Sequence, residues 1–309
     1  MKYSTNIKVV GIGGSGSNAV SRMMKSKLRG VELIVINADA QDLQKARAHK
    51  KVRIGRKLTR GLGTGMNPEV GKGAAEEQRE EIQEVLRGTD MAFITCGLGG
   101  GCGSGAAPVV AEIAKELGAL TLAVVTKPFS FEGMQRMEIA NTSEKKLKEQ
   151  VDTLIAISND KLFAILEPKT TVINAFWACD EILRQAVQGI SDLIVLPGII
   201  NIDFADVKAI MKDSGSALFG IGRAKGPDRA KEAARKAINS PLLDLSYKGA
   251  KGVLFNVSGG KDISLSEIDE AAKIITQEAS PEAKVIFGAI QDEKLKKGEI
   301  KVTVIATGF

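Results

Sequence analysis

The chain has 309 residues, 44% hydrophobic and 26% charged, with a net charge of +6, three cysteines and one histidine. Those totals describe a globular protein of about two domains with ample length for a buried core. Three dispersed cysteines (Cys96, Cys102, Cys179) and the lone His49 exclude a disulfide framework, a zinc site and catalysis built on an imidazole base. No apolar run is long enough to span a bilayer, and the opening Met-Lys-Tyr-Ser-Thr-Asn lacks the apolar segment of a signal peptide, so the expected compartment is the cytoplasm.

Ile7–Val10 reads as a short strand, followed by a glycine turn and a helix to about Leu28; Val31–Asn37 is a second strand. This βαβ opening has Gly11-x-Gly13-x-x-Gly16 at its first turn and Asp39 just past the second strand, a pattern that suits a dinucleotide-binding fold. From Lys45 to Arg60 there are eight Lys or Arg and no acid. No RNA-binding aromatic pattern or DNA-reading motif accompanies the run, so it reads as a solvated basic face that draws anionic nucleotide inward. Gly61–Pro68 is a second glycine-rich loop, and Glu69–Arg87 a polar helix.

The central stretch is Gly97-Leu98-Gly99-Gly100-Gly101-Cys102-Gly103-Ser104-Gly105, six of whose nine residues are glycine. It follows the apolar strand Met91–Thr95 and precedes the helix Ala106–Ala114, with Pro108 expected in the first turn. A glycine turn between strand and helix start leaves bare backbone N–H groups and a helix dipole facing a phosphate chain, and side chains would block that approach. Thr121–Thr126 is a further strand, Met134–Gln150 a helix, and Leu154–Ser158 a strand leading into Asn159-Asp160. Strands alternating with helices imply a mostly parallel sheet covered on both faces, with the glycine loops gathered at its carboxyl edge.

One long apolar helix, Thr171–Leu196, is stopped by Pro197-Gly198. A second α/β unit follows: strand Ala217–Ile221, helix Asp228–Asn239, strand Gly252–Val257, a helix opened by the capping box Ser264-Leu-Ser-Glu267, and strands Lys284–Ile290 and Lys301–Thr307. It has no comparable glycine loop and reads as scaffold and interface.

The central stretch, together with Asn201-Ile-Asp203-Phe-Ala-Asp206, resembles the tubulin/FtsZ superfamily of GTPases, the FtsZ cell-division proteins most of all. Gly13–Val20, Asn37–Gln41, Gly61–Glu69, Pro128–Gly133 and Ala186–Ile190 carry the same resemblance, which covers essentially the whole chain. It implies an α/β fold with a Rossmann-like parallel-sheet GTPase domain (1–170), a long central helix (171–196) and a smaller α/β C-terminal domain (197–309). It implies GTP and GDP as ligands with Mg²⁺, and K⁺ as a further cation.

Carried over residue by residue, Gly13, Gly14, Ser15, Gly16 and Asn18, with Asp39 and Ala40 beside them, would hold phosphates together with Gly99, Gly100, Gly101, Cys102, Gly103 and Ser104. Gly63, Thr64, Gly65 and Asn67 would lie near the γ-phosphate, and Glu132 and Arg136 would contact ribose and phosphates. Phe176 would stack on guanine, and Asp180-Glu181 stand where the family has an Asn-Asp pair, with Glu181 as acceptor for the base. Cys102 replaces the family's usual Thr; most phosphate contacts come from backbone N–H groups, so binding is expected to survive.

About 20 helical residues, roughly 30 Å, separate the base end of the long helix from Asp203 and Asp206. Those carboxylates either cap the next helix or, with Asn201, act as catalytic groups on the nucleotide of the next subunit, where they position and polarise water. The second reading makes a head-to-tail filament. The resemblance also implies membrane-tethering division partners, recruited through a C-terminal tail that this sequence does not include, and a location at the division site; nucleic acid and membrane insertion are not expected. Two other functions stay open at this point: a nicotinamide-dependent oxidoreductase, which leaves the central stretch unexplained, and a relative that binds GTP without turnover.

Overall fold

The computed structural model describes residues 5–26, 28, 30–164, 166–167, 169–196, 198–240, 247–292 and 295–309. The chain forms two compact units, Met1–Ser191 and Asp192–Phe309.

In the first unit, β1 (Ile7–Ile12) leads into α1 (Gly13–Lys25), β2 (Val31–Asn37), α2 (Ala40–Lys45) and β3 (Lys50–Arg53). There follow α3 (Pro68–Glu77), α4 (Arg79–Leu86), β4 (Met91–Gly97), α5 (Gly101–Glu116), β5 (Leu120–Lys127), α6 (Met134–Gln150) and β6 (Thr153–Ser158). The strands pair in parallel in the order β3-β2-β1-β4-β5-β6. The order reverses between β1 and β4, so the turns leaving those two strands flank a crevice at the carboxyl edge. All six residues of β1 are buried. Its one cation, Lys8, is satisfied by the carbonyls of Val85 and Arg87 at the end of α4, 2.8 and 3.0 Å away. Val10, Ile34 and Ile94 from the strands share one core with Ile82, Val110 and Leu147 from α4, α5 and α6.

The basic run contains an element that periodicity misses. Lys50, Lys51 and Arg53 of β3 are exposed around a buried Val52, and charge on an edge strand discourages further strand addition. The single helix expected over Glu69–Arg87 is two, because Gln78 leaves helical geometry (φ −112°, ψ 27°) while its side-chain amide accepts from the Gly55 N–H. Pro108 is inside α5, well past its first turn, since that helix begins at Gly101 and not at Ala106. The first helix ends at Lys25, short of Leu28.

The long helix α7 (Val172–Val195) carries the chain from the first unit into the second; Pro197, assigned above as its stop, lies outside the described residues. The second unit contains α8 (Phe204–Met211), β7 (Gly215–Lys225), α9 (Arg229–Ile238), β8 (Gly252–Gly259), α10 (Leu265–Gln277), β9 (Lys284–Gln291) and β10 (Glu299–Thr307). β10 runs antiparallel between β7 and β8, and β9 adds in parallel to β8. Ser264 caps α10 reciprocally with Glu267, as its sequence predicts. Ala233, Ala237, Phe255, Ile275 and Val302 meet in this unit's own core. Among the described residues no helix is long and apolar enough to cross a membrane.

Candidate functional site

A cavity of about 340 Å³ opens at the carboxyl edge of the first sheet, between the turn after β1 and the turn after β4. Two helices aim their amino ends at it. The N-caps of α1 and α5 are Ile12 and Gly100, and neither supplies a side-chain hydrogen bond to the first turn. Their leading N–H groups therefore keep donor capacity for an anion, reinforced by two helix dipoles.

The glycines do two different jobs. Gly13 turns the chain into α1 at φ +70°, and Gly100 has open space where a side chain would stand. Gly101, Gly103 and Gly105 are helical, and protein atoms approach each of them closely. A β-carbon on Gly105 would overlap the Pro68 carbonyl, and one on Gly101 would stand 2.7 Å from the Asn67 nitrogen. A β-carbon on Gly103 would meet the Gly97 carbonyl oxygen at 2.7 Å. The expectation that these glycines make room for phosphate is joined by a second role: Gly101, Gly103 and Gly105 let α5 nest against α3 and β4.

Of the residues expected from sequence, the cavity is lined by Gly13, Gly14, Ser15, Asp39, Gly63, Thr64, Gly100, Gly101, Cys102, Gly103, Glu132, Arg136, Phe176 and Asp180. The others are placed differently. Gly16 packs against the Thr95 carbonyl, and Gly99 (φ +94°) against that of Arg136. Ser104 closes the turn by accepting from the Gly99 N–H at 2.9 Å. Asn67 caps α3 through the N–H groups of Glu69 and Val70. Ala40 donates its N–H to the Gly61 carbonyl at 3.1 Å. Asn18 is exposed on α1, and Gly65 takes φ +54° in its loop. Glu181 is held away from the lining by Arg184 (2.7 Å) and Gln185 (2.8 Å).

Of the adjacent pair Asp180 and Glu181, Asp180 is the one that reaches the cavity. It is 7% exposed, and burial pushes its carboxyl up to about 6 against the opposing influence of Arg22, whose Nε lies 3.1 Å from Oδ2. Phe176 stands edge-on to the buried Phe129, centroids 5.6 Å apart, with its own ring 40% exposed. Arg136 and Glu132 pair at 2.6 Å. Cys102 is buried and its thiol is pushed up to about 11 by desolvation, so it enters the lining as a neutral group.

Asn159 was passed over as a ligand group. It follows β6 at the carboxyl edge, lines the cavity and is 5% exposed, yet its Oδ1 has no partner among the described residues. A buried orphan acceptor is costly unless a ligand or water completes it. The signal available in the sequence was its position, immediately after a strand of the binding edge.

In the second unit, Asp203 occupies the N-cap position of α8 but makes no side-chain cap hydrogen bond. Both Asp203 and Asp206 are exposed. Asn201 Oδ1 accepts from the Gly198 N–H at 2.7 Å, fixing the turn that precedes them.

Two uncapped helix starts over the switch point of a parallel sheet, with an aromatic ring and a buried acid at one end of the cavity, define a nucleotide-binding protein of the doubly wound class. Residues 6–167 match the Tubulin/FtsZ family, GTPase domain, and residues 215–309 match the FtsZ family, C-terminal domain. Among solved structures, an empty FtsZ dimer from M. jannaschii is 47% identical, with a TM-score of 0.95 over 100% of this chain and 89% of that one. A mutant of the M. jannaschii FtsZ is 48% identical over 99% of this chain and 91% of its own, at 0.95. CetZ2 from Haloferax volcanii, as a GTPγS-bound protofilament, shares the fold at 21% identity and 0.83, over 98% and 92%. The chain belongs to the tubulin/FtsZ family of GTPases, and within it to the FtsZ branch. The nicotinamide reading falls with that result.

Proposed function

We propose that this protein binds GTP in the cavity of its first unit, assembles head-to-tail with copies of itself, and hydrolyses the nucleotide with carboxylates supplied by the neighbouring subunit. Asp203 and Asp206 carry this reading. Aspartate at a helix start ordinarily caps it; here both side chains are exposed and Asp203 makes no cap, which leaves two carboxylates at a helix start for chemistry on another molecule. In the filament they would position and polarise the attacking water, with Asn201 holding the turn.

The surface around the cavity supports the same assembly. Leu62 (86% exposed), Phe131 (61%), Met134 (90%) and Ile173 (66%) belong to the segments that line it. Exposed apolar groups gathered at one site mark a protein interface. Met134→Glu is expected to abolish GTP-dependent sedimentation while leaving GDP affinity unchanged; a variant that still pellets with GTP would remove this face from the interface.

Within the cavity, the reading assigns the phosphates to the N–H groups of the α1 and α5 starts, guanine to Phe176 and Asp180, and a polar edge of the nucleoside to Asn159. The lining contains four carboxylates (Asp39, Asp42, Glu132, Asp180) but one guanidinium, Arg136. A polyphosphate there needs a cation, and no three His, Cys, Asp or Glu among the described residues cluster as a metal site. Mg²⁺ would then be carried largely by phosphate oxygens, neutralising their charge; K⁺ is a second candidate. The cellular role proposed is cell division in the cytoplasm at the division site, with attachment to the membrane through partner proteins.

A further inference from the structure

Asp180 is the acid that α7 brings to the cavity lining, and what it needs is a charge at neutral pH. Resting on the reading of this cavity as a guanine site, the carboxylate must accept from the N1 and N2 hydrogens of the base, which a protonated acid does poorly. Its surroundings oppose ionisation. It is nine-tenths buried, Cys179 beside it on α7 is buried too, and Glu132 adds negative charge near Cys179. Glu181 on the same helix is neutralised locally by Arg184.

Among the described residues, one cation faces the carboxylate. Arg22, in the last turn of α1, donates Nε–H to Asp180 Oδ2 at 3.1 Å, and its guanidinium lies over the Trp177 ring, 4.9 Å from the centroid. The aromatic face fixes the planar group in place. Oδ2 is thereby occupied by a group outside the cavity lining, and Oδ1 has no hydrogen bond among the described residues. We propose that Arg22, clamped on Trp177, is a positioning residue of base recognition: it keeps Asp180 anionic and reserves Oδ1 for guanine. Arg22 does not line the cavity, so its effect on the nucleotide is exerted through Asp180.

The electrostatics fix the direction of the test. Burial pushes Asp180 up to about 6 even with Arg22 present. Removing an opposite charge at this distance raises a carboxyl by about one unit or more. GDP binding, measured calorimetrically from pH 5.5 to 8.5, is compared between wild type, Arg22→Gln, Arg22→Lys and Asp180→Asn. Titration of the GDP phosphates is common to all and cancels in ratios. The Arg22→Gln to wild-type Kd ratio is expected near one at pH 8.5, rising to about tenfold by pH 5.5. Arg22→Lys should lie within a few-fold of wild type throughout. A ratio constant with pH would show that Arg22 serves only packing, and would overturn the proposal. Asp180→Asn should bind GDP weakly at every pH and lose its preference for GDP over ADP. If Asp180→Asn binds like wild type, the base-site reading itself fails; if it is weak while Arg22→Gln parallels wild type, only the role of Arg22 fails.

Discussion

Asp206→Asn and Asp203→Asn are each expected to lower GTP turnover by about 10²-fold or more while leaving GDP affinity and thermal stability unchanged. The magnitude is that of removing a group that positions or polarises the attacking water. The unchanged stability follows from the local structure. Asp203 makes no cap hydrogen bond, so amidating it removes no bond from α8, and both residues are exposed, so no buried partner is orphaned. The unchanged affinity follows from the cavity, whose lining runs from Ile12 to Asp180 and includes neither residue. Phosphate release at saturating GTP, with melting curves on the same samples, checks all three. Normal turnover in either variant would return the segment to a purely structural role.

Gly105→Ala and Gly100→Ala, five residues apart, should fail in opposite ways. At Gly105 a β-carbon overlaps the Pro68 carbonyl, a backbone atom held at the start of α3. Main chain cannot swing aside as a side-chain tip can, so α5 and α3 must separate; a loss of about 3 kcal/mol is expected. Gly100 has nothing within 4 Å of the β-carbon position and a φ of −97°, open to any residue. Gly100→Ala should therefore fold with unchanged stability and bind GDP more weakly, because the added methyl enters the phosphate space. Denaturant titration and GDP calorimetry on both variants decide it. Equal stabilities would contradict the packing role assigned to the α5 glycines.

The strand–helix alternation of the first unit was legible because its strands are nearly continuous apolar runs, as in β1 and β4, and because those two runs lead directly into glycine. The carboxyl-edge location of the site followed from that alternation alone. What the sequence concealed was the division of labour among its glycines. A glycine needed for phosphate and one needed for a passing backbone look alike in a string, and only the position of Pro68 beside Gly105 separates them. The short strand β3 was hidden because its exposed Lys and Arg outnumber its one buried residue, Val52. The break at Gln78 was invisible because it comes from a side-chain bond to Gly55, a residue 23 positions away in sequence. At the base end, Asp180 and Glu181 are adjacent acids, and nothing in their spacing tells which faces the cavity. Arg184, one helical turn on, captures Glu181, while Arg22 from α1 holds Asp180 beside the cavity. Asn159 was overlooked because a single asparagine after a strand is common, whereas a buried one with an unpartnered oxygen is not.

The claim that the active site is completed by a second copy is tested most directly by phosphate release with GTP and Mg²⁺ as a function of protein concentration. Turnover per molecule should be near zero at low concentration and rise above a threshold, in step with sedimentable polymer. Turnover per molecule that is constant down to concentrations where the protein is monomeric would place every catalytic group within one chain and contradict the role given to Asp203 and Asp206.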